Sequence, residues 1–466
     1  MAWTFDRRAM KGWLALVPAA LMLAGTLVLA APEARSSTAT EAAHLGVASC
    51  AGSTCHGRMA GDGPVVRQDE IAIWQEPSTQ GGAHSRAYAV LSNSRSQFIA
   101  RNLGIADAAS APQCLGCHSS AASAGGGNFR YQLSDGVNCE SCHGGAGGWI
   151  SSHYAGLLDG RAQHADNVRR GMRALENPVT RAGVCLECHY GSDKPGQFVS
   201  HRMMAAGHPR ISFELDLFST LQAHHSEDAD YAARKGRTDH VQLWAVGQAM
   251  ALQRSLALFQ DNGRASEGIF PEFTFYDCHS CHRRIFDQAA PVRTGVNNPG
   301  RSIPEGMPPY NDENMIMLAA AARVAAPGLA ERYEARARAF HAAMAQGRPQ
   351  AVAAARELAA VTGELRSAFA GASFGEDSSR RMAQAIAGEA LRPRFTDYAG
   401  SVQAVMGIDT LLNAMVSSGQ VTVGSAAGIR DDINRAYAAV RDPNGYRPAE
   451  FQAALSSAVR SIGAVH

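Results

Sequence analysis

Apolar and polar positions divide the chain into two unlike stretches. Over residues 312–466 apolar residues recur at helical spacing, and no run alternates with the period of two that marks a strand. Leu329, Tyr333, Ala337, Phe340 and Met344 follow one another at steps of four, four, three and four. Val352, Ala355, Leu358, Val361, Leu365 and Phe369 continue the same spacing. Tyr398, Val402, Val405, Leu412 and Met415 predict another helix, and Ile429, Ile433, Tyr437 and Val440 the next. Pro448 stands where a first helical turn tolerates it, ahead of Phe451, Leu455, Val459 and Ile462. An all-α bundle is therefore expected for 312–466, with its stripes as core. Residues 44–290 show one long stripe, Val241, Ala245, Ala249, Leu252, Leu256 and Phe259, which predicts a helix from Asp239 to about Gln260. Elsewhere in that stretch Gly-rich loops at Gly125–Gly127 and Gly144–Gly148 interrupt any pattern. Between the two, residues 291–311 hold Pro291, Pro299, Pro304, Pro308 and Pro309 and read as a linker.

The N-terminus has its own pattern. Arg7, Arg8 and Lys11 form a basic region, and Trp13 to Ala31 is apolar apart from Pro18, Gly25 and Thr26. Val28 and Ala30 put small residues at a cleavage site before Ala31, so residues 1–30 read as a signal peptide. The run is also long enough to stay as an uncleaved anchor, and that alternative stands. The Arg7-Arg8 pair is superficially like a twin-arginine signal, but the chemistry argued below needs an unfolded exported chain, which points to the general secretory route.

Bulk composition adds little. The 466 residues carry 43 Lys+Arg against 42 Asp+Glu, and charged residues make up 18% where about 25% is usual. That balance supplies no electrostatic case for nucleic acid or for a strongly charged substrate. An apolar share of 46% excludes wholesale disorder.

The ten cysteines change the picture, because all of them pair by spacing. Cys114-x-x-Cys117-His118, Cys139-x-x-Cys142-His143, Cys185-x-x-Cys188-His189 and Cys278-x-x-Cys281-His282 each read C-x-x-C-H. Random order at this composition yields roughly 0.01 such matches in a chain of this length. Cys50 and Cys55 precede His56 with four residues between them. Zinc sites or a disulfide framework would not require a histidine after every pair. Attachment of haem c does: two thiols add to the two vinyl groups of one haem, and the next histidine ligates the iron. Two extra residues can bulge outward at Cys50 with both sulfurs kept at the ring edge, the alternative there being an empty redox pair. Five haems are expected, with no cysteine left for a structural disulfide. Around them the chain needs only loops and short helices beginning at or near the motifs.

Five of the 17 histidines are used in this way, which leaves twelve. Bis-histidine ligation of five irons needs five of these. His84, in Gly-Gly-Ala-His-Ser-Arg-Ala-Tyr, is expected to open a helix and leads the candidates. His153 follows His143 after a Gly-rich turn and can swing over a neighbouring haem. His201 and His208 are seven residues apart, two turns if they share a helix, so that they could serve two adjacent irons. His224, His225, His240 and His44 rank below these. His279 faces away from its own iron, and His341 and His466 read as solvent residues. Met203 and Met204 read as packing.

Three phrases carry a further resemblance: Ala83-His84-Ser-Arg-Ala-Tyr88, Asp135-Gly-Val-Asn-Cys139-Glu-Ser-Cys-His-Gly144 and Ala206-Gly-His208-Pro. They resemble the multihaem cytochrome c-554 family over about residues 44–290. That family looks like part of a group with hydroxylamine oxidoreductase and the pentahaem nitrite reductases. The resemblance implies distal ligation by His84, His153 and His208, and haems packed in close pairs, some nearly parallel and some perpendicular. Its usual members bind four haems with short spacing, so the wide Cys50 site and a fifth motif depart from the pattern, and the helical tail has no counterpart. The expected fold is mainly α, a loop-rich multihaem c-type cytochrome domain followed by a helical bundle. Two functions compete: a periplasmic electron carrier between periplasmic or membrane-bound redox proteins, and a haem-dependent reductase or oxidase of a small nitrogen or sulfur compound at a five-coordinate iron. The C-x-x-C-K motif through which the resembled nitrite reductases attach their active haem does not occur. That absence and the surplus of histidines favour the carrier. Membrane association is expected only if the N-terminal segment stays uncleaved.

Overall fold

The computed structural model describes residues 42–58, 67–120, 129–159, 164–266, 269–282, 307–375, 377–391 and 398–465. The expected signal segment 1–30, the loop at Gly125–Gly127, linker residues 291–306 and His466 lie outside these residues.

The fold is mainly α. Among the described residues eleven helices precede the linker: α1 Glu70–Gln75, α2 Ser94–Leu103, α3 Pro112–His118, α4 Cys139–His143, α5 Ile150–Asp159, α6 His164–Arg169, α7 Pro178–His189, α8 His201–Ala205, α9 Leu215–Leu221, α10 Ala229–Lys235 and α11 His240–Gln260. Seven follow it: α12 Glu313–Ala325, α13 Pro327–Met344, α14 Arg348–Ala370, α15 Ser378–Ala390, α16 Tyr398–Ser417, α17 Val423–Ala439 and α18 Pro448–Ala464. Among the described residues the one β contact is an isolated bridge between Tyr276 and Tyr310. No helix among them is long and apolar enough to cross a membrane.

Local chemistry explains many of these boundaries. Asn93 caps α2 by accepting from Ser96 N at 2.8 Å, and Gly104, left-handed at φ 73°, closes it. Asn177 and Pro178 start α7, and Asp239 accepts from Gln242 N at 2.9 Å to start α11. Pro448 occupies the first turn of α18, as its position in the sequence suggests. The periodic runs in the tail become α13, α14, α16, α17 and α18. Helices α12 and α15 show no clear stripe in the sequence, because half or more of their buried apolar positions are alanine (Ala320, Ala321, Ala322; Ala383, Ala387, Ala390), beside Met315, Met317, Leu318, Met382 and Ile386.

Helix α11 is buried on nearly every side, not along one stripe. Trp244, Ala245, Val246, Ala249, Leu256 and Phe259 are fully buried. It packs against α7 and α9 on one side and against α12, α14 and α16 on the other. One continuous core therefore runs from Val241 through Phe340, Leu358, Leu412 and Phe451 to Ile462. Buried polar contacts tie the same two stretches: Gln403 Nε2 donates to Phe213 O at 2.8 Å, and Thr410 Oγ1 to Glu214 Oε2 at 2.6 Å. Gly247 lies where α11 meets α9, and a Cβ there would stand 2.6 Å from Leu215 Cβ. Gly→Ala inside a helix ordinarily stabilises by about 1 kcal/mol. Here Gly247→Ala is expected to lower stability by about 1–3 kcal/mol through overpacking, read as a lower denaturant midpoint of the holoprotein.

Candidate functional site

The attachment motifs sit in or beside short helices, as expected: α4 runs from Cys139 to His143, a 3-10 turn starts at Cys278, and α3 starts at Pro112, just ahead of Cys114. α7 differs, since it starts at Pro178 and only its last turn is motif; α3, α4 and α7 all finish on their motif histidines, which aims the imidazole. The wide site is accommodated by a turn: Cys55 N donates to Gly52 O at 2.8 Å, and His56 N donates back to Cys50 O at 3.2 Å. The two extra residues are folded outward in that turn, which brings Cys55 and His56 back beside Cys50. Within the third motif, Glu140 is buried and accepts from Leu45, Gly46 and Ala146 backbone N–H groups at 2.7–3.0 Å. The fifth motif is held by the tail: Asp277 Oδ1 accepts from Ala399 N at 3.0 Å, and His279 Nδ1 lies 2.7 Å from Pro443 O.

Each motif histidine faces a second imidazole. Ring centroids are 6.0 Å apart for His56–His153, 6.4 Å for His118–His208, 5.9 Å for His189–His84 and 6.3 Å for His282–His201. His143 faces two rings, His224 at 6.4 Å and His225 at 6.2 Å. Nitrogens of these three histidines lie within 4.8 Å of one another. Two imidazoles bound on opposite faces of one iron, each nitrogen about 2 Å from it, have centroids roughly 6 Å apart. The donor sets therefore fit haem irons.

Hydrogen bonds at the far nitrogens fit as well. His118 Nδ1 is 2.8 Å from Ala87 O, His208 Nδ1 is 2.8 Å from Pro209 O, and His224 Nδ1 is 3.3 Å from Gln222 O. A carbonyl there fixes Nδ1 as the protonated nitrogen and leaves Nε2 as the metal donor. His56 Nδ1 and His225 Nδ1 reach a carboxylate instead, Glu70, at 3.0 and 3.2 Å. Burial pushes His84 and His208 below the usual imidazole range, and His189 down to about 4. Burial, reinforced by neighbouring histidines, takes His224 down to about 4 and His143 to about 3. Neutral imidazole is the form that binds metal. His56 moves the other way, raised chiefly by its bond to Glu70. Burial opposes ionisation of Glu70, yet bonds from His225 and His56 hold its carboxyl down at about 2.

The cysteines of different motifs also meet. Cys50 lies near Cys139 and Cys117 near Cys188, close enough for each to shift the other's thiol. Burial raises the Cys142 thiol to about 11 and Cys185 to about 12, an environment that suits an uncharged thioether. Gly116, inside the second motif, allows a backbone approach: its Cβ would lie 2.7 Å from Gly196 C and O.

Several details differ from sequence reasoning. His84 lies in a turn ahead of residues 89–92, not at the start of an α-helix. His201 and His208 share no helix: α8 ends at Ala205, and Gly207 turns left-handed at φ 117°. They nonetheless face two different motif histidines. His341, on α13, is buried against Asp312 at 3.2 Å, just ahead of α12, and is no solvent residue. His240 is 2.8 Å from Asp216, and the His44 ring lies against Tyr131. His224 and His225, which rank below the leading candidates in the sequence, lie beside His143, and Glu70 lies between His56 and His225. Two adjacent histidines just past a helix end were the available signal for the first, and no local motif marks the second.

Residues 49–144 match the family model for cytochrome c554 and c-prime. No curated protein and no solved structure matches the chain. The matched segment contains the first three Cys–Cys–His units and His84. The chain is accordingly c554-like over that segment, a c-type cytochrome with covalently bound haem c and an electron-transfer role.

Proposed function

We propose that this cytochrome, c554-like over residues 49–144, conducts electrons along five haems, each iron held between two histidines. One observation carries the reading: all five motif histidines have a facing imidazole at 5.9–6.4 Å. Haem c supplies a one-electron iron centre when bound. The chain does the rest. Cys50/Cys55, Cys114/Cys117, Cys139/Cys142, Cys185/Cys188 and Cys278/Cys281 hold the five rings, and His56, His118, His143, His189 and His282 ligate them from the motif side. His153, His208, His84 and His201 close four irons from the other side, and His224 or His225 closes the one bound by His143. A second imidazole on every iron leaves no coordination position for a substrate, which favours conduction over catalysis. Contacts of Cys50 with Cys139 and of Cys117 with Cys188 support close pairing of the haems whose edges those sulfurs mark.

Haem attachment outside the cytoplasm and the N-terminal pattern support a periplasmic protein that exchanges electrons with periplasmic or membrane-bound redox proteins. Intact mass after denaturation tests the stoichiometry, since thioether-linked haem stays attached; five haems are expected. A mass with four would show that the Cys50–Cys55 spacing is not used. Electron paramagnetic resonance of the oxidised protein should show low-spin iron throughout. A high-spin iron that turns over nitrite, hydroxylamine or nitric oxide would overturn the carrier in favour of the reductase or oxidase.

A further inference from the structure

The Glu70 carboxylate lies between ligands of two different irons. Its Oε2 is 3.0 Å from His56 Nδ1, and its Oε1 is 3.2 Å from His225 Nδ1. His56 is the motif ligand of one haem, opposite His153, whereas His225 lies opposite His143, the motif ligand of another. The side chain is buried and well placed by its surroundings. Ile71 N donates to His56 O at 3.1 Å, which docks the start of α1 on the wide motif, and Trp74 Nε1 donates to Val137 O just ahead of the third motif.

We propose that Glu70 is a positioning residue shared by two haems: it fixes His56 and His225 as Nε2 ligands and lowers the potentials of both irons together. The inference rests on the bis-histidine reading above. A carboxylate accepting from Nδ1–H makes the opposite nitrogen a stronger donor, and a stronger donor favours the oxidised iron. Each oxygen takes one N–H, so one negative charge acts on two ligand sets. Of the two imidazoles beside His143, His225 contacts Glu70 and His224 Nδ1 faces the Gln222 carbonyl, so a shift at this iron on changing Glu70 would mark His225 as its ligand.

Glu70→Gln tests this. The amide oxygen can accept one N–H, but its NH2 would then face the second, donor against donor, and the charge is gone. A spectroscopically monitored redox titration of the holoprotein should show two midpoint potentials raised and three unchanged, with two altered low-spin resonance signals. Glu70→Asp keeps the charge and should shift the same two potentials by less. Potentials that all stay put, a shift in only one, or a shift spread over all five would overturn the proposal. If the Gln variant does not retain haem, the Asp variant decides by the same pattern: two potentials moving together support the proposal, and any other result overturns it. The wild-type haem count and spin state test the bis-histidine reading separately, so failure of one is distinguishable from failure of the other.

Discussion

His84→Ala should convert one low-spin iron to high spin and leave the covalent haem count unchanged. His84 faces His189 at 5.9 Å with the rings at 68°, and burial lowers its tendency to protonate. On the proposed bis-histidine reading, its removal would take away one of two strong-field donors, with water or nothing in its place. Because both thioethers at Cys185 and Cys188 remain, intact mass should match wild type apart from the substitution. Electron paramagnetic resonance should gain a single high-spin species, and cyanide or carbon monoxide should bind that iron in the variant alone. A spectrum identical to wild type would remove His84 from the ligand set. The effect should stay local, since the other four facing pairs involve neither His84 nor His189.

Phe259→Ala should cost about 3–5 kcal/mol of stability. Phe259 is fully buried at the end of α11, with ring centroids of Phe270, Phe275, Tyr310 and Phe340 at 5.2–5.8 Å. Such pairs add about 0.5–1.5 kcal/mol beyond burial. The cluster joins α11, the segment leading to the fifth motif and helix α13 of the tail, so the cavity cannot close by moving one element. Denaturant unfolding of the holoprotein should show the drop, and Phe259→Leu should recover part of it. The haem count should not change, because attachment acts on the unfolded exported chain. An unchanged midpoint would mean that the tail does not share a core with α11.

Both results bear on what was legible without coordinates. The helix type and rough extents of α11, α13, α14, α16, α17 and α18 could be read, because burial of a 3.6-residue period is written in large apolar side chains. Helices α12 and α15 could not, because half or more of their buried apolar positions are alanine, which packs closely but leaves a weak pattern. The single stripe read for α11 understated its burial: two layers cover it, and only the second, supplied by the tail, buries the far side.

The amino-acid sequence alone determined the attachment chemistry. Two thiols and an imidazole must be neighbours along the chain to grip one haem, so spacing suffices to find them. It also offered His84, His153, His201 and His208 as candidates for second ligands. Only the tertiary structure decided which histidine faces which: His153 opposite His56, His84 opposite His189, His208 opposite His118 and His201 opposite His282. It alone brought His224 and His225 to His143, and Glu70 to both His56 and His225. The physical reason is range. Covalent attachment and helical periodicity are local, and their signatures lie within a few residues, whereas an imidazole opposite another, or a carboxylate shared between two, depends on where distant loops close around a common core.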